Sequence, residues 1–498
     1  MEILSNLLQG FGSIAGITPL LIIMVGVALG IMAGAMPGLS PSMGVALLVP
    51  FTYTMSPTLA LILLVSIYIA ANYGGSITAV TINAPGTPAS VVTSFDGYPL
   101  TQQGKAGIGL GVSLVSSTVG GFIGTLLLIF FSAPLAKVAL NFHPAEYFAL
   151  AIFGLTTVAS LGGKNWVKAF IAAMFGLLLN MVGIDPISGV SRFTFGSAEL
   201  YDGFALIPVL IGLFALSEIF FQLEKGDFNI KAANTIKSQW PSIKDYWKLR
   251  WVILRSSILG TVIGIFPGAG ATIASFISYD VTKRVSKHPE TFGKGAPEGV
   301  SAAESANSSS VGGALVPLLT LGIPGSATTA VLIGALMIHD LVPGPRLFIN
   351  NPEIVYGLFA SLLIANVVLL VFGLFGSKLW IKVTTIPKNI LFPMIFAISV
   401  VGSFAVRYSF FDVISCFAFG VFGWILKRKN YPVAPIILGL VLGNIAETNF
   451  RRAVMMGGYN IFFSRPGSLI LLIIAAISFA IPFIRSKKVK TNSSEKNS

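Results

Sequence analysis

Two stretches of this chain repeat one another: YGGSITAVTINAPGTPAS (73–90) and VGGALVPLLTLGIPGSATT (311–329). Each carries a Gly-Gly pair and, eleven or twelve residues after its first glycine, a Pro-Gly followed by hydroxyl-bearing residues. Proline removes a backbone donor and glycine admits unusual φ/ψ, so Pro-Gly breaks a helix. Upstream of each stretch lies another break of the same kind, in GIMAGAMPGLSPSMG (30–44) and GTVIGIFPGAGATIA (260–274). Matched features in one order at nearly one offset indicate an internal duplication.

The surroundings of these breaks are a membrane. The 498 residues are 54% hydrophobic and only 10% charged, with mean hydropathy +0.84; a soluble chain carries about 25% charged residues. Apolar runs long enough to cross ~30 Å of hydrocarbon recur along the chain. Examples are TPLLIIMVGVALGIMAGA (18–35), GFIGTLLLIFFSAPLAKVAL (121–140) and SLILLIIAAISFAIPFI (468–484). A β-barrel would show short alternating segments instead. The N-terminal residues lack Lys or Arg before the first run, so 18–35 reads as a retained span and not a signal peptide. Cys416 is the only cysteine, and His143, His288 and His339 are scattered, which excludes an internal disulfide and a zinc motif.

Net charge +13 follows the loops. Lys225, Lys231, Lys237, Lys244, Lys248, Arg250 and Arg255 crowd one connection, Lys427, Arg428 and Lys429 another, and Arg485, Lys487, Lys488 and Lys490 the tail. That is the positive-inside pattern, a topology signal that needs no nucleic-acid partner. It divides the chain into a first transmembrane repeat (1–221, breaks at 37–38 and 85–86), a basic cytoplasmic linker (222–249), a second repeat (250–485, breaks at 267–268 and 324–325) and a polar cytoplasmic tail (486–498). The opening segment of the first repeat has no basic flank, since no Lys or Arg precedes residue 105; that of the second is basic on both sides. Opposite charge flanks on equivalent elements are expected of copies inverted in the membrane. Between Arg255 and Lys283 lie too few residues for two full crossings, so this piece is either a re-entrant hairpin bent at Pro267-Gly268 or one kinked crossing.

Broken helices inside a bilayer must be buried in protein or line a wet cavity. Their half-helix N-termini attract anions, and paired interruptions in corresponding positions mark a transporter's binding site. The candidate substrate ligands are Ser40, Ser42, Asn83, Gly86, Thr87 and Ser90 in the first repeat. Their counterparts are Gly268, Gly270, Thr272, Gly325, Ser326 and Thr328. Any one hydroxyl can instead bond a preceding carbonyl of its own helix. Glu304, Asn307 and Ser308 precede the second Gly-Gly pair and are candidate ion ligands, because an acidic residue inside a membrane protein faces a cavity or a partner. Glu298 reads as a solvated carboxylate, Asp96 in FDGYPL as structural, and Arg407 as interfacial. Lys164 and Lys294 lack P-loop spacing, which argues against ATP drive. The chain offers no nucleophile–base pair or metal cluster, so an intramembrane enzyme is disfavoured.

At this point the chain resembles a known family, the large membrane subunits (TctA-type permeases) of tripartite tricarboxylate transporters. The resemblance rests on PGLSPSMGVALLVPFTY (37–53), YGGSITAVTINAPGTPASVVTSFDGYPLTQQGKA (73–106), FPGAGATIASFISYDVTKR (266–284), the stretch 293–345 and NFRRAVMMGGYNIFFSRP (449–466). It implies an all-α polytopic protein of the cytoplasmic (inner) membrane, with two inverted repeats, broken or re-entrant helices and elevator-like movement. It implies uptake of a small carboxylate, received from a periplasmic or extracellular binding protein. A small membrane subunit accompanies the large one, and sodium or protons act as the coupling ion without another cofactor. A homo-oligomer is a further expectation, and a stand-alone transporter of the same fold is the alternative. The chain departs from the family's pattern at Ser308, Ser309 and Ser310 after Asn307, at Asp340 and at Met456–Tyr459, so the particular substrate does not transfer.

Overall fold

A computed structural model describes residues 2–36, 39–160, 166–225, 240–267, 270–383 and 386–494. The Pro37-Gly38 break, Gly268 and residues 226–239 of the linker lie outside the described residues.

An outer helix α1 (Glu2–Ser13) leads into α2 (Ile17–Ala35), the break and α3 (Pro41–Leu48). Then come α4 (Pro57–Ile82), the second break, α5 (Ser90–Gln102) and the long α6 (Ala106–Ala139). The first half closes with α7 (Pro144–Ser160), α8 (Trp166–Asn180), a small hairpin of β1 (Gly183–Ile184) and β2 (Ser191–Arg192), and α9 (Leu206–Ile211). Through a π-helical turn, Gly212–Leu216, α9 continues into α10 (Ser217–Lys225).

The same order returns. Helix α11 (Ile243–Ile265), a break and α12 (Gly270–Val285) precede α13 (Pro297–Leu321), a break and α14 (Ala327–Ile338). Short α15 (Leu347–Asn350) precedes the long α16 (Pro352–Val383), and α17 (Lys388–Arg407), α18 (Phe410–Arg428), α19 (Ala434–Gly457), α20 (Ile461–Ser464) and α21 (Pro466–Ser494) complete the chain. Among the described residues, seven helices are long and apolar enough to cross a membrane. The ends of the 222–249 linker are helical: α10 runs to Lys225, and α11 starts where Ser242 and Asp245 form a capping box.

The two halves exchange partners. Within each, the opening helix packs on the helix bearing the Gly-Gly pair, α2 on α4 and α11 on α13. Between them, α6 packs on α13 while α16 packs on α4, and α5 lies on α12 and α13 while α14 lies on α3 and α4. The glycine pairs make the within-copy crossings possible. A Cβ on Gly74 would stand 3.0 Å from Gly34 Cα, and one on Gly313 would stand 3.0 Å from Gly264 Cα. Small residues let helix backbones approach where no water drives association. Helix α4 ends at Asn83 (φ 54°) and α13 at Gly322 (φ 73°), both left-handed. Asn and Gly are the residues that tolerate that conformation most readily. The bonds Ala84 N–H to Thr78 O (3.2 Å) and Ile323 N–H to Pro317 O (3.2 Å) close both ends in the same way.

The arms of the third break fold back on one another. Arg255 on α11 donates to Thr282 Oγ1 on α12 at 3.2 Å, bringing the two arms side by side. This is the hairpin arrangement of the two that the sequence leaves open.

Candidate functional site

The helix starts that follow the four breaks converge. One cavity of about 360 Å³ is lined by Ser40–Ser42 at the start of α3, Thr87–Ala89 before α5, Gly270–Ile273 at the start of α12 and Ser326–Thr328 at the start of α14. Tyr68 and Asn72 of α4 add polar side chains, and Ala169, Pro432, Ala434, Pro435 and Leu438 give an apolar wall. Its volume lies at the small end of the ~300–1,000 Å³ range of small-molecule sites. None of these lining residues is charged. An α-helix N-terminus carries roughly +0.5 elementary charge, so four such starts would present about +2 to a ligand.

Hydroxyl caps hold these ends in place. Ser40 Oγ accepts from Met43 N–H at 3.2 Å and shares a 2.9 Å bond with Ser42 Oγ. Ser326 Oγ accepts from Thr329 N–H at 3.2 Å, and Thr329 Oγ1 accepts from Ser326 N–H at 2.7 Å. Tyr68 joins the two halves, its phenol oxygen 2.9 Å from Ser326 Oγ.

Of the residues expected from sequence, Ser40, Ser42, Thr87, Gly270, Thr272, Ser326 and Thr328 line the cavity. Asn83, Gly86, Ser90 and Gly325 are not among the lining residues. Asn83 is the exposed left-handed cap of α4. Ser90 is turned inward, donating to Thr87 O at 2.8 Å and accepting from Thr87 N–H at 3.1 Å. Gly86 and Gly325 are packing glycines. A Cβ on Gly86 would run into Gly34 O and lie 2.9 Å from Gly75 Cα, and one on Gly325 would lie 2.7 Å from Ala314 Cα.

Glu304 is fully buried about two turns into α13. Three hydroxyls donate to its carboxylate: Ser76 of α4 to Oε1 at 2.5 Å, Thr93 of α5 also to Oε1, and Ser117 of α6 to Oε2 at 2.7 Å. One turn on, Asn307 donates to the backbone carbonyl of Asn72 at 3.3 Å, while Asn307 Oδ1 and Ser308 Oγ find no partner among the described residues. A buried oxygen without a donor costs about 1–3 kcal/mol, so each of these atoms is open to a donor or a cation. The group therefore adjoins the cavity through Asn72.

Asp96 is structural. Its Oδ1 accepts from Gly293, Gly295 and Ala296 N–H at 2.8, 2.9 and 2.8 Å, and its Oδ2 from Tyr279 at 2.8 Å, capping the approach to α13. Glu298 is half-buried and accepts from Ser286 at 2.6 Å. Arg407 pairs with the buried Asp412 at 2.5 and 2.8 Å. On the β1–β2 hairpin, the backbone N–H groups of Ser188 and Ile187, with Arg451 beside them, hold Asp185 well below the ordinary carboxylate range. Arg192 bridges the hairpin to Glu447 at 2.5 Å.

Sequence reasoning missed Tyr68, Asn72, Ser76, Thr93 and Ser117. The one available signal was Asn72, an amide inside an apolar run and beside the Gly-Gly pair.

A helical, multi-pass membrane protein whose interrupted helices aim their N-termini at one uncharged cavity is, by class, a membrane transporter. More narrowly, the chain belongs to the tripartite tricarboxylate transporter TctA family, whose model matches residues 20–438. It is 39% identical over 497 residues to an uncharacterized 52.8 kDa protein in the TAR-I ttuC' 3'region of Agrobacterium vitis, covering 98% of this chain and 99% of that one. It is 38% identical over 234 residues to an uncharacterized protein in the TAR-II ttuC' 3'region of the same organism, covering 46% of this chain and 97% of that one. No solved structure matches the chain significantly.

Proposed function

We propose that this chain carries a small di- or tricarboxylate across the cytoplasmic membrane by symport with sodium or protons. The substrate arrives from a soluble binding protein, and a small membrane subunit assists. The observation that carries this reading is the convergence of four helix starts on a cavity without a charged lining residue among the described residues. Their summed charge of about +2 balances two carboxylates, while the hydroxyls of Ser40, Ser42, Thr87, Thr272, Ser326 and Thr328 supply directional donors. The ion site is the group of Glu304, Asn307 and Ser308, whose oxygens suit an alkali cation or a proton on Glu304. The partner exchange between the two copies supports inverted repeats, and an elevator-like movement of the element pairs that carry the breaks follows from them.

The test is uptake into proteoliposomes of di- and tricarboxylates under imposed sodium or proton gradients, with and without the binding protein. Accumulation that needs a gradient and a carboxylate supports the proposal. Uptake at full rate without the binding protein would make this a stand-alone carrier. Gradient-independent behaviour with every carboxylate would overturn the symport reading.

A further inference from the structure

Asn72 lines the cavity yet is only 3% exposed. Its amide orientation is fixed, because Nδ2 donates to Tyr68 O at 3.2 Å. No described residue donates to its Oδ1, whereas its backbone carbonyl is taken by Asn307. An amide oxygen accepts and cannot donate, so a carboxylate placed against it would bring two acceptors together. The other polar side chains of the lining are hydroxyls, which adapt to either role. Among the described lining residues, Asn72 Oδ1 is therefore the one side-chain oxygen that can only accept, so a ligand that displaces water from it must bring a donor.

That donor is an O–H or an N–H. An ammonium group is disfavoured: it would face four positive helix ends, and no lining residue is acidic. A neutral hydroxyl has no such conflict. We propose that the cavity selects carboxylates bearing a hydroxyl on the chain between their carboxyl groups, and that Asn72 Oδ1 is the specificity-determining acceptor of that O–H. The proposal rests on the carboxylate reading above and narrows it. A site built to hydrogen-bond a substrate hydroxyl rejects the analogue without it, because its own buried group is left unpaired.

Equilibrium binding to the purified full-length chain tests this directly, free of the soluble binding protein's own selectivity. The probes are pairs that differ by one hydroxyl, malate against succinate and citrate against tricarballylate, with aspartate as the ammonium analogue. The hydroxylated member of at least one pair is expected to bind about ten- to a hundredfold more tightly, and aspartate no better than succinate. Asn72→Ala retains the backbone carbonyl used by Asn307. It should bring the hydroxylated ligand down to the level of its plain partner while leaving that partner within about threefold. Equal affinities within both pairs in the wild-type protein, a comparison that needs no variant, would overturn the proposal but leave the carboxylate reading standing. So would a ratio that survives Asn72→Ala. Tighter binding of aspartate than of malate would replace the hydroxyl with an ammonium. Failure of all five to bind would remove the carboxylate reading and this proposal together.

Discussion

Asp96→Ala should destabilise the protein severely, and Asp96→Asn should do so mildly. The wild-type carboxylate is fully buried and receives three backbone N–H groups on one oxygen and the Tyr279 hydroxyl on the other. Hydrogen bonds to a charged group are worth about 1.5–3 kcal/mol each, but they are not additive when they share one acceptor. Alanine leaves three amides and a phenol without their acceptor. With partial relaxation and entry of water, the loss is on the order of 3–5 kcal/mol, as for a buried polar pair stripped of one partner. Asparagine keeps one oxygen for the three amides, and its NH₂ can donate to Tyr279 Oη, so only the charge assistance is lost, about 1–2 kcal/mol. The readout is the temperature at which detergent-solubilised protein loses its monodisperse peak on size exclusion. The expected order is wild type, then Asn, then Ala, with little folded Ala variant recovered from membranes. An Ala variant as heat-resistant as wild type would refute the capping argument. An Asn variant of normal stability but without transport would instead place Asp96 in the transport cycle.

Glu304→Gln and Asn307→Ala should raise the sodium concentration for half-maximal uptake about tenfold or more, with a smaller effect on substrate. If uptake responds to pH and is indifferent to sodium, Glu304 carries a proton instead. Gly86→Val should lower the yield of folded protein and not merely its transport, because its side chain would meet the backbone of Gly34 and Gly75; overpacking of this kind costs about 1–3 kcal/mol or more. Recovery of Gly86→Val at wild-type levels would show that the tip can move away from α2. Cysteine at Phe195, which is 91% exposed, should react with an impermeant thiol reagent added outside intact cells, and cysteine at Lys429 should not. The reverse pattern would invert the orientation drawn from the basic loops.

The breaks were legible because Pro-Gly in an apolar run is a local signal, and a local signal repeated at one offset locates a site. The side chains that complete the site were not. Tyr68, Asn72 and Ser76 come from α4, whose apolar stretch is buried all round, so no periodicity distinguishes its cavity face from its packing faces. The partners of Glu304 arrive from three different helices, and only tertiary packing brings Ser76, Thr93 and Ser117 to one carboxylate. Gly86 and Gly325 show the opposite limit. Glycine serves equally for ligand approach, unusual φ and close helix contact, and the sequence does not say which; here it is close contact.

A site that draws its positive charge from helix ends differs physically from one built on Arg or Lys. A guanidinium facing a carboxylate in a dry cavity makes a strong charge-assisted bond, and burying it unpaired after release is costly. Helix ends give partial charges whose backbone groups are already braced by caps such as Ser40 and Ser326, so an empty cavity leaves no bare ion behind. Glu304 is a buried acidic group, and it lies on the helix whose Asn307 bonds the carbonyl of Asn72. Any cation or proton taken up at Glu304 therefore acts one turn of α13 away from Asn307, whose amide bonds the backbone of the cavity residue Asn72. If occupancy of that group strengthens substrate binding, linkage requires substrate to strengthen ion binding by the same factor. Equilibrium binding measured at several sodium concentrations and several pH values would read that factor from both sides.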